Sequence, residues 1–408
     1  MTTAGTGRDH NAPARGNPRG TAGRVAVVQR QARSTLVLAA GFAVAAAAAL
    51  LVPHHTGAWL PLHLFLVGTL LLAISAATQL FAVTWAAGPP PSDRAAAVQR
   101  WSLALGAALL AVARDLHWPR GVLGVGGVSV LVALVLLGIS LRLIVAGGVQ
   151  RRFDEAAHAY LAALASGFIG CALGIAMAIG LDSPMYARVR AAHLTFNLLG
   201  LVGLVIAGTL PFFAATQARV KMASRASPRA QRVVLSGLAT SLGATAVGFL
   251  VGSSTVATFG LGGYAVFVIG IAALMPPIRM KQLRWAGPRL LQLGAGVSWW
   301  AGSAITLAWQ ARHGGGVFTP TVVAVLVVGG YAQILASAVA YLGPVLRAGG
   351  HQRLTAGFRT TRSWFGLGAA NVAAVAFVVG APGIAVVAIV LWVVDTAGRA
   401  ALLLRTAR

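Results

Sequence analysis

Long apolar runs separated by short polar stretches occupy the chain from residue 34 to residue 404. A helix needs about 20 apolar residues to cross roughly 30 Å of hydrocarbon. Twelve segments approach or exceed that length: 34–52, 60–86, 98–113, 122–146, 159–180, 190–214, 233–251, 256–276, 289–310, 320–344, 363–380 and 382–404. The third is short and the eleventh is weakly apolar. The pattern predicts an all-α, polytopic integral membrane protein with about twelve transmembrane helices. Residues 1–33 are rich in Gly, Arg, Pro, Ala and Thr and hold no apolar stretch, so they are read as a disordered basic cytoplasmic tail, with 34–408 as the transmembrane domain. The first apolar run is long and lacks a cleavage context, which sets it apart from a secretory signal.

Local signals mark the helix ends. Thr319-Pro320 reads as an N-cap followed by proline in the first turn, where its missing N–H costs nothing. Pro61 opens the second span in the same way, while Pro89-Pro90-Pro91, Pro276-Pro277 and Pro344 are expected to close inner ends. Gly237, Ser241, Ala244 and Gly248 fall on one face of the seventh span, a spacing that allows close helix contact where lipid supplies no hydrophobic drive.

Composition agrees with the pattern. Hydrophobic residues make up 58% of the chain and charged residues 10%, against about 25% charged in a soluble domain. There are 32 Lys plus Arg and seven Asp plus Glu. The basic residues cluster between apolar runs, which points to a lipid bilayer partner rather than nucleic acid. Alternate loops are basic, among them those holding Arg94, Arg151, Arg219, Arg279 and Arg347. The opposite loops are short and poorer in positive charge, Arg114, Arg120, Arg188 and Arg190 being exceptions. The positive-inside rule then places both termini in the cytoplasm, with the chain in the cytoplasmic membrane. The single cysteine, Cys171, excludes an intrachain disulfide.

Spans two, six and ten resemble one another. They read "HLFLVGTLLLAISAATQLF", "HLTFNLLGLVGLVIAGTLPFF" and "GGYAQILASAVAYLGPVL", and the first two open on His63-Leu64 and His193-Leu194. Twelve spans then divide into three groups of four. His63 and His193 lie about three residues inside their helices, roughly 5 Å below the mouth. Ionisable groups in spans often mark a site, and neutral imidazole binds haem iron, copper or zinc. Hydrogen bonding to a neighbouring helix is the competing role for both. Asn197 is one turn below His193, and Gln333, Ser337, Tyr331 and Tyr341 in span ten are candidates for a polar lining. No phosphate-binding glycine loop, HExxH, CxxC or serine-triad signature is found. Asp395 is the one carboxylate well inside an apolar run, which argues against a chain of proton-carrying acids.

The twelve-span layout, the placement of His63 and His193, and the segment "YAQILASAVAYLGPVL" resemble the membrane part of the haem-copper oxidase subunit I superfamily. The closer likeness is to actinobacterial membrane proteins, some fused to cupredoxin domains in copper nitrite reductase-like multicopper oxidases; NnrS-type proteins are more distant. The resemblance implies three four-helix arcs, a haem ligand at His63 and a copper or haem ligand at His193. Span ten departs from the family pattern, having Gln333 and no histidine, and span seven has no histidine either. The expectation is therefore a protein without oxygen-reductase activity and not a self-sufficient enzyme. It would bind one haem or copper and serve electron transfer or copper and nitrogen-oxide handling with a cupredoxin or other redox partner, the chain forming a homo-oligomer in one version. The alternatives are a permease for a small solute, supported by the repetition and the glycines, and a membrane scaffold subunit.

Overall fold

The computed structural model describes residues 20–151, 153–314, 316–347 and 350–405, and among these every regular element is a helix. Twelve long rods follow the chain. They are α1 (Thr21–Ala49), α2 (Trp59–Ala86), α3 (Asp93–Asp115), α4 (Arg120–Ala146), α5 (Asp154–Ile179), α6 (Ser183–Ala218), α7 (Pro228–Val251) and α8 (Ser254–Ala273). After a short helix α9 (Met280–Ala286) come α10 (Pro288–His313) and α11 (Pro320–Leu346). A second short helix, α12 (His351–Thr360), precedes α13 (Trp364–Val378) and α14 (Pro382–Arg405). Ten of the rods are long and apolar enough to cross a membrane. The other two are α10, whose 26 residues include Arg289, Gln292, Gln310 and Arg312, and α13, which is apolar but only 15 residues long.

Two boundaries differ from expectation. The tail predicted to reach residue 33 is helical from Thr21, and residues 1–19 lie outside the described residues. Val28 is buried, Gln31 donates to the Pro91 carbonyl at 3.0 Å, and Arg30 pairs with Asp93 at 2.7 Å, so this first stretch of α1 is held by the start of α3. Pro344 does not close its helix; α11 carries it inside the last turn and runs on to Leu346. Thr319 behaves as predicted, accepting from the Val322 N–H at the start of α11.

The loops fall at two ends of the bundle. At one end Gln150 N–H bonds the Ala86 carbonyl, Arg232 pairs with Glu155 at 2.6 Å, and Arg225 donates to Met275 O at 2.9 Å. This is the end that carries Arg94, Arg219, Lys221, Arg279 and Lys281. At the other end Thr56 donates to Asp115 at 2.9 Å, and His54 lies 3.4 Å from the same carboxylate. The small-residue face of α7 packs against α8: a Cβ at Gly248 would meet the backbone of Ala257, and one at Gly263 would meet Ser241.

Three rods form the interior. In α6, 94% of the most apolar window is buried within the protein, against 61% in α2 and α11 and 17–39% in the other membrane-length helices. The same three rods are interrupted by π-helical turns, at Leu64–Leu70, Thr195–Val202 and Val325–Ala332. The interruption therefore returns every fourth rod, in the spans whose sequences resemble one another. A π turn shifts the hydrogen-bond register, and lipid offers no hydrogen bond to a carbonyl left short by that shift. In α6 hydroxyls from three neighbours donate to carbonyls within the π turns. Ser166 of α5 donates to Phe196 O at 2.9 Å, Tyr331 of α11 to Leu198 O at 2.9 Å, and Tyr264 of α8 to Leu199 O at 3.0 Å. Both tyrosines are buried.

Tyr264→Phe and Tyr331→Phe should each lower stability by about 1 kcal/mol, the usual size of a buried membrane hydrogen bond, with the double variant losing close to the sum. Unfolding of the full chain in mixed micelles measures this; wild-type stability in both variants would remove the hydroxyls from a supporting role.

Candidate functional site

His63 is the residue immediately before the π turns of α2, and His193 stands two residues before those of α6. The corresponding residues of α11 are Val323 and Ala324, so the third repeat has no imidazole. Both histidines are half-buried, and they lie within electrostatic range of each other.

Each ring is fixed in one tautomer by a backbone carbonyl. His63 Nδ1 lies 2.9 Å from Trp59 O, and the imidazole stacks on the Trp59 indole with centroids 3.8 Å apart. His193 Nδ1 lies 2.7 Å from Gly170 O of α5. A carbonyl can only accept, so Nδ1 carries a proton in both rings, and in the neutral imidazole Nε2 then keeps its lone pair. That is the metal-binding form of imidazole, with the opposite nitrogen already oriented by the protein. Neither Nε2 has a hydrogen-bond partner among the described residues.

Asn197 stands one turn below the second histidine. Its amide nitrogen donates to His193 O at 2.9 Å, and Cys171 Sγ lies 3.8 Å from its Oδ1. The neighbouring contact of 3.2 Å between Asn197 Nδ2 and His193 Nδ1 joins two donors and is no hydrogen bond once Nδ1 serves Gly170. Close approach of α5 makes this possible. A Cβ on Gly174 would stand 2.9 Å from His193 Cε1, and one on Gly170 would stand 2.5 Å from Asn197 Nδ2. The pair sits four residues apart in "GCALG", a small-residue spacing that marks close helix contact.

The candidate lining of span ten is dispersed. Gln333 is fully buried and exchanges amide hydrogen bonds of 3.3 and 3.4 Å with Asn371 of α13, whose Oδ1 also accepts from Trp299 Nε1 of α10 at 2.9 Å. Ser337 donates to Arg289 O at 2.8 Å and accepts from Gln217 Nε2 at 2.9 Å. Tyr331 serves the Leu198 carbonyl, and Tyr341 packs on Phe213 and Phe358 near the arginine-rich end. Of the seven residues singled out in the sequence, His193 and Asn197 are in contact and His63 lies within electrostatic range of His193, while the other four tie α11 to its neighbours. Gln217, Asn371 and Tyr264 complete these ties; as single polar residues in apolar text, they carried no spacing that would have paired them.

No group of three or more His, Cys, Asp or Glu side chains that could hold a metal ion is found among the described residues. No protein-family model matches the chain, and no curated protein matches it.

Because His193 bonds across to α5 whereas His63 bonds within its own helix, His193→Phe should lower stability by about 1 kcal/mol and His63→Phe by clearly less. Thermal unfolding in detergent compares them, and equal losses would contradict the inter-helix assignment.

Proposed function

We propose that this multi-span membrane protein is haem-copper-oxidase-like, holds one haem or copper ion between His63 and His193, and exchanges electrons with a redox partner without reducing oxygen itself. The carrying observation is two neutral imidazoles at matched places beside the π turns of α2 and α6, each with Nδ1 engaged and Nε2 unpartnered. The Nε2 atoms of His63 and His193 would hold a haem iron or a cuprous ion. They are too few for a structural zinc site, which takes four ligands. Gln333 is unsuited to a ligand role because its amide is spent on Asn371. A bound haem or copper would supply one-electron chemistry. The chain's own residues orient the rings, through Trp59 and Gly170, and exclude water by close packing of α5 against α6. The redox partner, a cupredoxin or a protein of like role, would dock at the histidine end. The arginine-rich end then faces the cytoplasm, as the positive-inside rule requires.

Full-length protein, purified from cells supplied with haem and copper, should show either a Soret band or close to one copper per chain. His63→Ala and His193→Ala should each reduce that content about tenfold or more. Absence of both signals in the wild type would overturn the proposal, and solute uptake into proteoliposomes unaffected by either substitution would favour a permease. With Cys171→Ser as background, a cysteine at Ser224 should resist a membrane-impermeant thiol reagent in intact cells, whereas one at Ser183 should react. The reverse result would invert the topology.

A further inference from the structure

Arg289, in the first turn of α10, is the one buried cation among the described residues. It is 2% exposed, and Nε, Nη1 and Nη2 all lack a hydrogen-bond partner. Its guanidinium lies 4.5 Å from the ring centre of Phe358, 4.6 Å from that of Trp285 and 5.5 Å from that of Tyr341. Two more arginines meet at the same tryptophan. Arg219, exposed at the end of α6, lies over Trp285 at 3.9 Å. Arg362 donates to the Trp285 carbonyl and keeps its Nε buried and unpartnered.

No carboxylate is paired with any of the three. The ion pairs among the described residues join Asp93 to Arg30, Asp115 to His54, Glu155 to Arg232 and Asp395 to Arg399. Aromatic faces offset part of the charge of a buried cation. They leave the in-plane N–H donors unsatisfied, and a buried charge without hydrogen bonds is strongly unfavourable. An oxyanion answers both needs at once, since guanidinium groups present parallel donors that match phosphate oxygens.

We propose that Arg219, Arg289 and Arg362, gathered around Trp285, bind a phosphate-bearing anion at the arginine-rich end of the bundle. Arg219 receives it at the surface and Arg289 forms the floor. The anion is supplied either as free phosphate or as a phospholipid headgroup. The site lies at the end of the bundle opposite the histidines and stands independently of any cofactor there.

The test uses the full chain in an uncharged detergent, with tryptophan fluorescence as the readout. One arm is titrated with inorganic phosphate and the other with phosphatidylglycerol in mixed micelles of that detergent, both against chloride at matched ionic strength. Native mass spectrometry of the starting preparation counts any phospholipid already held. Wild-type protein should show saturable binding in at least one arm, or retain a phospholipid. Arg289→Gln should weaken binding about tenfold, the effect of losing charge-assisted hydrogen bonds. Arg219→Gln, whose exposed side chain makes folding secure, should weaken it several-fold, and Arg30→Gln should leave it unchanged. Saturation by phosphate identifies a free anion; a response to phosphatidylglycerol alone, or a retained lipid, identifies a headgroup. The proposal is overturned if wild type neither responds beyond chloride nor retains lipid, or if Arg219→Gln binds as wild type does.

Discussion

Lipid offers a backbone carbonyl no hydrogen bond, and the interior of this protein is organised around that constraint. Within the π turns of α6 the carbonyls of Phe196, Leu198 and Leu199 each accept a hydroxyl, and the three hydroxyls come from three different helices. The satisfaction of one irregular stretch thus fixes where α5, α8 and α11 sit. It also fixes the histidine end. Ser166, which holds Phe196, lies one turn from Gly170 on α5, and Gly170 supplies the carbonyl that orients His193. A packing requirement and a candidate ligand are therefore served by the same helix contact.

The two ends of the bundle hold polar groups in opposite ways. The histidine end presents neutral rings, each with one nitrogen satisfied and the other unpartnered, which suits a positively charged metal centre. The opposite end concentrates cations around Trp285 and leaves them without carboxylates, which suits an anion. Uncharged locks such as Gln333 with Asn371, and Gln217 with Ser337 beside Arg289, tie the helices to one another. These polar pairs hold the helices in register without placing charge in the hydrocarbon.

Much of the architecture was legible because hydropathy and arginine placement are direct consequences of the bilayer. The apolar runs, the Thr319 cap and the likeness of spans two, six and ten all have structural counterparts. The π turns themselves were not legible, since they have no composition of their own. Nor were the tyrosine hydroxyls, because the partners of Tyr264 and Tyr331 are carbonyls 65 and 133 residues away. Helix α1 began earlier than its apolar run because Val28 is buried and Gln31 finds partners on α3, a tertiary effect that local composition does not report. At the site, His63, His193 and Asn197 could be found by their depth. Nothing in the sequence neighbours of Arg289 reveals its burial.

The capture of the Leu198 carbonyl by Tyr331 can be tested on that single bond. Isotope-edited infrared spectroscopy of a carbonyl-labelled Leu198, recorded in bilayers for wild type and Tyr331→Phe, reads it directly. A shift of the labelled amide band to higher frequency on loss of the hydroxyl is the predicted result. An unchanged band would show that the Tyr331 hydroxyl does not tie α11 to the π turns of α6.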